Sequence, residues 1–337
     1  MDKLLTIVIP TYNMENLLEH CLNSLIIASN LMEQLEVLVI IDGATDCSSE
    51  IAHKYETIHP QTFRVIDKEN GNYGSCINRG LQEAKGKYIK ILDADDSFDN
   101  EALSTFIKSI KDTDYDLILT NYCFKNSYGH TTETKHFDIP FNTPLSSLML
   151  SGLGAHMAMH AVTYKTDNLR RIKYHQSEGI SYTDQEWIFT PMTMVKTFTY
   201  IPICLYNYLI GREGQTMNFS NMSRNIHHNL TVMRTLIKTY TGTPNDSDIH
   251  EYLKNRIECL AEYIYTLYLY NMPKVDAKRL ADFDKELRDT CPPLHLYAAT
   301  IRASRLPMVK MWRLLGYYTN DHGLHNFFRY RKYNPFK

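Results

Sequence analysis

Within the first 120 residues, short runs of branched apolar residues alternate with stretches patterned for helix. Residues 4–9 form one such run, ended by Pro10. Leu17, Leu18, Cys21, Leu22, Leu25 and Ile26 then recur at the spacing of one helix face. Asn13 is the expected N-cap of that helix, with Glu15 favourable in its first turn. Residues 36–41 repeat the strand pattern up to Asp42-Gly43, 48–56 reads as helix and 63–66 as strand. Residues 76–84 read as a helix ended by Gly86, 88–92 as a fourth strand and 117–120 as a fifth. This alternation predicts an α/β fold with a mostly parallel sheet and helices on both faces.

Such sheets bind ligands beyond the carboxyl ends of their strands. Three polar clusters fall there: Pro10-Thr11-Tyr12-Asn13, Asp42 to Asp46, and Asp93-Ala94-Asp95-Asp96. Residues 126–217 are less periodic and rich in His, Thr, Met and Tyr. From about 221 the pattern turns helical, with Leu230, Met233, Leu236 and Ile237 on one face, then 251–270 and 279–288. Residues 241–248, holding Gly242, Pro244 and Asn245, are the linker between the first two of these helices. Three regions are expected: 1–125 and 126–217 as halves of one α/β domain, and 218–337 as a helical C-terminal region.

The 337 residues allow roughly two domains, and 44% hydrophobic with 22% charged residues is ordinary for a soluble chain. A net charge of −2 gives no global argument for nucleic-acid binding. The charge is uneven, however. Residues 1–100 hold eight basic and sixteen acidic side chains, a net of −8. Residues 302–337 hold eight basic side chains and one acid, Asp321, a net of +7. The acidic end suits cations, and the basic end suits phosphate or a membrane surface. Seven scattered cysteines with no C-x-x-C pair are read as reduced thiols in a cytosolic protein. No apolar run reaches the roughly 18–20 residues of a spanning helix. The opening run passes directly into Pro10 without a small-residue cleavage site, so it is read as a strand and not a signal peptide.

Three carboxylates within four positions, at Asp93, Asp95 and Asp96, repel one another unless a cation sits among them. Oxygen ligands suit Mg2+ or Mn2+, with substrate phosphate and water completing the shell. The plain alternative is a solvated turn whose Asp residues cap a helix beginning near Asn100. Asp42 suits a base or ribose, or else an ordinary Asp-Gly turn. Asn70-Gly71-Asn72-Tyr73-Gly74-Ser75 lets backbone approach a phosphate before a helix, or is a plain loop. His156 and His160 lie four apart, but no Glu stands at 157. They are read as core or acceptor-pocket histidines. The run Tyr263, Tyr265, Tyr268 and Tyr270 is read as helix core packing.

Four motifs stand in order: Ile7-Val8-Ile9-Pro10-Thr11-Tyr12-Asn13, Asp42-Gly43-Ala44-Thr45-Asp46, Gly80-Leu81 through Ala84-Lys85-Gly86-Lys87-Tyr88-Ile89, and Leu92-Asp93-Ala94-Asp95-Asp96. Together they resemble the nucleotide-binding half of family 2 glycosyltransferases, which have the GT-A (Rossmann-like) fold. A dehydrogenase would show a glycine fingerprint where this chain holds Pro10-Thr11-Tyr12-Asn13. The resemblance implies that Pro10, Thr11, Tyr12, Glu15 and Asp42 line the nucleotide pocket. It adds Asn72, Gly74, Asn78, Asp93, Ala94 and Arg212 to the donor site, and assigns the metal to Asp95 and Asp93. Ala44, Ile41 and Ile77 depart from the usual Ser, Asp or Asn, and Arg of the family.

The resemblance further implies a catalytic base in Thr183-Asp184-Gln185-Glu186-Trp187, where Thr183 replaces the usual Glu. Asp184 is then the base. Glu186 would share its face in a strand but not in a helix, and a helix over 184–189 is expected. The segment from Tyr206-Asn207-Tyr208 through Arg212-Glu213-Gly214-Gln215 is similar to the family's Tyr-and-Arg segment, so Arg212 would neutralise the leaving diphosphate or else be a surface charge paired with Glu213. The implied activity is inverting transfer from a nucleotide sugar, with UDP favoured, to a hydroxyl of a glycan or lipid-linked acceptor. Bacterial surface-polysaccharide synthesis is the implied setting, and the lack of spanning helices argues against a processive polymerase. A catalytically silent sugar-nucleotide-binding scaffold is the alternative, and an Asp-nucleophile phosphatase is a third class. Phe327-Phe328-Arg329-Tyr330-Arg331-Lys332-Tyr333, with Arg302, Arg305, Lys310, Trp312 and Arg313 upstream, suits peripheral docking on the inner membrane face. Packing against the acidic first region is the other reading of that tail.

Overall fold

The computed structural model describes residues 3–211, 225–271, 277–303 and 306–317. The chain divides into two compact units, Met1–Gln215 and Thr216–Lys337.

The first unit is built on one sheet. Its strands are β1 (Leu5–Thr11), β2 (Leu35–Asp42), β3 (Phe63–Lys68), β4 (Tyr88–Ile91), β5 (Ser97–Phe98), β6 (Leu117–Lys125), β7 (Thr131–Lys135), β8 (Leu145–Ser146), β9 (Val162–Lys165) and β10 (Thr197–Leu209). They lie in the order β3-β2-β1-β4-β9-β6-β10-β5, with β7 beside β6 and β8 beside β10. β3, β2, β1 and β4 pair in parallel, as do β6 and β10. Strands β1 and β2 are almost wholly buried, as unbroken apolar runs in a parallel sheet should be. Ile7, Val8 and Ile9 are fully buried, each stabilising the fold by about 1.5–3 kcal/mol.

The helices are α1 (Leu18–Asn23), α2 (Ser29–Met32), α3 (Ser48–Ile58), α4 (Asn72–Glu83), α5 (Asn100–Ile110), α6 (Thr166–Arg171) and α7 (Asp184–Trp187). α4 starts four residues earlier than its apolar pattern suggests, because Asn72 adopts φ 68 and turns the chain into the helix. α1 is shorter than expected and begins after Leu17, not at Asn13. Asn13 sits at φ 51, and its Oδ1 accepts from Thr45 N at 2.8 Å instead. Asp99, and none of the three carboxylates before it, caps α5 by accepting from Ala102 N at 2.9 Å.

β9 departs from the parallel pattern. It runs antiparallel to both β4 and β6, between them. Its beginning therefore lies at the edge where β4 ends. A 3-10 turn, Met159–Ala161, precedes it and is carried to that edge. Lys90, fully buried on β4, holds the turn by donating to His160 O at 2.7 Å and Val162 O at 3.1 Å. Burial pushes the Lys90 amine down to about 7.

The reading of all cysteines as reduced thiols is corrected for one pair. Cys123 on β6 and Cys204 on β10 form a disulfide, with Cα atoms 6.2 Å apart. Strand neighbours 81 residues apart in sequence leave no spacing signature, and the register shifts on both sides of Cys204. Cys21, Cys47, Cys76, Cys259 and Cys291 are free.

The second unit contains helices His228–Gly242, His250–Thr266, Ala277–Thr290, Pro292–Ala298 and Met308–Leu314, with a π-helical turn at Leu267–Asn271. Leu230, Met233, Leu236 and Ile237 are buried, as their spacing predicts. Tyr265 and Tyr268 are buried too. The Tyr265 hydroxyl donates to Asp284, which is fully buried and also takes Arg313 Nη2 at 2.6 Å and Nε at 2.9 Å. Trp312 is fully buried beside it. Arg313 and Trp312 thus belong to this core and not to a free tail. Among the described residues, no helix is long and apolar enough to cross a membrane.

Candidate active site

The carboxyl ends of β1, β2 and β4 meet because β1 pairs with both neighbours. The loops after β1 and β2 are stitched reciprocally. Glu15 N donates to Asp46 Oδ2 at 2.9 Å, and Cys47 N donates to Glu15 Oε2 at 3.1 Å. Met14 N donates to Ser48 Oγ at 2.8 Å. Glu15 thereby helps hold the start of α3. Thr11 is buried and Pro10 half-buried, while Tyr12 stands 49% exposed at the rim.

Asp42 closes β2 and is buried. Its Oδ1 accepts from Lys68 Nζ at 2.6 Å and from Gly71 N at 2.9 Å, and its carbonyl accepts from Asn70 Nδ2 at 2.8 Å. A base or ribose donor would share this carboxylate with Lys68. Gly74, read in the sequence as a backbone approach for a phosphate, has a protein neighbour. A Cβ at Gly74 would collide with Ser177 O, so the room at Gly74 is taken by the 176–179 backbone. Asn72 is exposed at the start of α4.

Beyond β4 the carboxylates separate into two kinds. Asp93 and Asp95 are half-buried, while Asp96 is buried and Ala94 packs in the core. Asp96 Oδ2 accepts from the Tyr206 hydroxyl at 2.7 Å, and Oδ1 from Leu209 N at 2.7 Å. Burial, then the Asp95 and Asp93 charges, hold the Asp96 carboxyl well above the usual range. Asp93 Oδ1 accepts from the Tyr73 hydroxyl at 2.7 Å, which ties it to the first turn of α4. His160 was expected in the core or the acceptor pocket. It packs 4.6 Å from both the Tyr206 and Tyr208 rings, and its buried Nδ1 has no hydrogen-bond partner. Asp93, Asp96 and His160 each present one ligand atom, all within 4.8 Å of one another. Burial, then the Lys90 charge, lowers the imidazole to about 3, so it is neutral and can ligate. This oxygen-rich set, with a neutral imidazole at its edge, fits a hard divalent cation.

Asp184 comes from the other half of the unit. It opens α7, two residues after Tyr182, whose φ of 68 is strained for a bulky residue. Its Oδ2 accepts from Gln185 Nε2 at 3.0 Å. α7 ends at Trp187, two residues sooner than expected. The geometry separates the two acids. Glu186 is buried and turned inward, its Oε2 accepting from Ser177 N at 2.8 Å. Burial raises its pKa. Asp184 is half-buried.

Two tyrosines mark where the halves meet. Burial, then Asp93, then Asp184 and Asp95 raise the Tyr73 hydroxyl well above its usual range. Burial, then Asp96, Asp93, Asp95 and Asp184 push Tyr208 up to about 12. Four carboxylates from two distant segments therefore act on one half-exposed hydroxyl. No role was read in the sequence for Tyr73 or Gln176, since neither one tyrosine among 24 nor a lone glutamine carries a local mark. Asn78, expected at the donor, instead bonds the Gln176 backbone. Arg212 lies outside the described residues.

Residues 6–172 match the family described as Glycosyl transferase family 2. Glycosyltransferase GlyA of Streptococcus pneumoniae is 32% identical over 130 residues, which are 38% of this chain and 18% of GlyA. The chain therefore spans less than a fifth of that relative's length. Among solved structures, S. aureus TarS 1-349 in complex with UDP-GlcNAc superposes with a TM-score of 0.61 at 18% identity, covering 89% of this chain and 82% of TarS 1-349. The mannosyltransferase PcManGT from Pyrobaculum calidifontis, in complex with GDP-Man and Mn2+, gives a TM-score of 0.51 at 14% identity, covering 94% and 80%. At such identities these likenesses speak for the fold alone: mixed α/β of the GT-A type, followed by a helical region.

Proposed function

The chain carries a glycosyl transferase family 2 domain over residues 6–172, and from that premise we propose that it is an inverting, metal-dependent glycosyltransferase. The donor would be a nucleoside diphosphate sugar, UDP-linked by preference, and the acceptor a hydroxyl of a glycan or lipid-linked glycan. The observation that carries this reading is the group of Asp93, Asp96 and His160 beyond β4, with the charge of Asp184 felt at the same hydroxyls, Tyr73 and Tyr208, as those of Asp93 and Asp95. One acid for proton transfer and a separate acid set for a cation are what direct displacement of a diphosphate requires. The UDP-GlcNAc and Mn2+ bound by the structural neighbours agree with it.

In this mechanism Thr11, Tyr12 and Asp42 bind the nucleoside, with Pro10 and Glu15 shaping the loops around it. Asp93 and Asp95 would hold Mg2+ or Mn2+, with Asp96 and His160 grouped beside Asp93. Such a cation would offset the charge of the departing diphosphate, a task in which Arg212 assists. Asp184 takes the proton of the acceptor hydroxyl as its oxygen attacks the anomeric carbon. One displacement with one base inverts that carbon. A panel of nucleotide sugars screened by thermal shift, with and without Mn2+, tests the assignment. A bound donor at 100 times its Kd adds about 2.7 kcal/mol of stability. A UDP-sugar that raises Tm only with the cation is the expected result. No shift with any donor would leave the phosphatase reading, and a shift without donor hydrolysis or transfer would leave the silent scaffold.

We propose further that the basic tail docks the enzyme on the cytoplasmic face of an anionic membrane, where lipid-linked acceptors lie. Because Trp312 and Arg313 serve the core, docking falls to Lys310 and the aromatic-basic run 327–333. Each cation near such a surface contributes about 1 kcal/mol. Co-sedimentation with anionic vesicles at low salt is expected, and deletion of 318–337 should abolish it. Binding that survives the deletion would assign the run to packing within the protein.

A further inference from the structure

We infer that Asn78 is a positioning residue for the base: it clasps the backbone of Gln176, and through Gln176 and Thr183 it holds the turn that presents Asp184. The inference rests on the reading of Asp184 as base. It also removes Asn78 from the donor contacts that the family resemblance implies for it.

The clasp is complete at both ends. Asn78 Oδ1 accepts from Gln176 N at 2.8 Å, and Asn78 Nδ2 donates to Gln176 O at 2.9 Å. One side-chain amide thus pairs a backbone as a neighbouring strand would. Nδ2 also meets Glu178 Oε1 at 2.8 Å. Gln176 is fully buried, and its own side chain carries the link onward. Its Nε2 donates to Thr183 Oγ1 at 2.9 Å, while its Oε1 accepts from the Tyr174 hydroxyl at 3.0 Å. On the far side of the base, Glu186 Oε2 accepts from Ser177 N at 2.8 Å. The segment therefore grips the turn at residues 183 and 186, on both sides of Asp184.

The segment also rests on the first turns of α4, the helix that carries Asn78. Gly179 N donates to Gly71 O at 3.1 Å, and Ser177 O occupies the room left by Gly74. α4 also reaches the donor side, where the Tyr73 hydroxyl holds Asp93 at 2.7 Å. Tyr73 and Asn78 are five residues apart, about 7.5 Å along a helix axis. One rigid helix thus sets the separation between a donor-side carboxylate and the base. The base turn needs such an external hold, because Tyr182 sits in the left-handed region at φ 68. Without Asn78, a buried backbone N–H and C=O would lose their partners and the segment would shift to find others. A shift near 1 Å is enough to cost up to about 100-fold in rate.

The test compares Asn78→Ala with Thr183→Val, which removes only the hydroxyl at the opposite end of the link. UDP affinity in Mn2+ is measured by calorimetry, and kcat and KM with the donor found by the screen. Trp187 emission is read in a Trp312→Phe background, since the chain has two tryptophans. For both variants, UDP affinity should stay within about twofold while kcat falls about 10- to 100-fold. Trp187, which stacks on Tyr164 and Tyr174, should change emission. Lost UDP affinity with kcat preserved would return Asn78 to the donor site and overturn the inference. Unchanged kcat in both variants would overturn it as well. If the wild type transfers no sugar at all, the base assignment fails. The Trp187 signal then decides the clasp alone, an unchanged signal refuting it.

Discussion

Asp184→Asn should leave UDP binding intact and lower turnover by about 100-fold or more, the lower range for general-base catalysis. The amide keeps the shape of the side chain and can still meet Gln185 Nε2, the partner Asp184 has at 3.0 Å. It cannot accept a proton at neutral pH. Two features make this a clean experiment. Asp184 opens a short helix at a half-buried position, so the change creates no cavity. The neighbouring acid cannot substitute, because Glu186 is buried and spends Oε2 on Ser177 N. Glu186→Gln should therefore disturb folding or the Ser177 contact before it disturbs proton transfer. Single-turnover kinetics with saturating donor would separate binding from chemistry. Turnover at the wild-type rate in Asp184→Asn would place the base elsewhere.

Asp95→Ala should abolish the Mn2+-dependent part of UDP affinity, by more than the 10- to 100-fold lost on removing even an outer partner of a metal ligand. Asp95 is half-buried beyond the end of β4, beside the group formed by Asp93, Asp96 and His160. Asp96 is the contrasting control. Its two oxygens already accept from Tyr206 and Leu209, and its proton affinity is raised by burial and by Asp95 and Asp93. Asp96→Asn should mainly cost stability, about 1–3 kcal/mol for disturbed buried hydrogen bonds, measured by urea unfolding. If Asp96→Asn or His160→Ala removes the Mn2+ effect while Asp95→Ala retains it, the cation is held by the deeper set of Asp93, Asp96 and His160.

Much of the architecture was legible because it is encoded locally. Apolar runs of four to eight residues, each closed by Pro10, Asp42-Gly43 or Asp93, mark buried parallel strands and the edge where their loops gather. The apolar stripe at Leu230, Met233, Leu236 and Ile237 marks a helix face in the same way. The candidate site was legible to the extent that it lies on those strand ends. Asp93 and Asp95 stand directly after an apolar run, and the crowding of their charges is what suggested a cation.

The rest depended on which distant segments become neighbours. Nothing local says that residues 162–165 insert antiparallel between β4 and β6, yet that choice carries His160 to Asp93 and Asp96. Nothing local pairs Cys123 with Cys204, or fills the room at Gly74 with Ser177 O. The family resemblance favoured Asp184 over Glu186, but spacing alone said nothing of how either side chain packs. The packing is what sets the two apart, burying Glu186 against Ser177 N and leaving Asp184 half-buried. The physical reason is one of range. Periodicity and turn chemistry report which face of an element avoids water, and they are complete within a few residues. A hydrogen bond such as Asn78 to Gln176 spans 98 positions. Its partner is chosen by the course of the backbone between them.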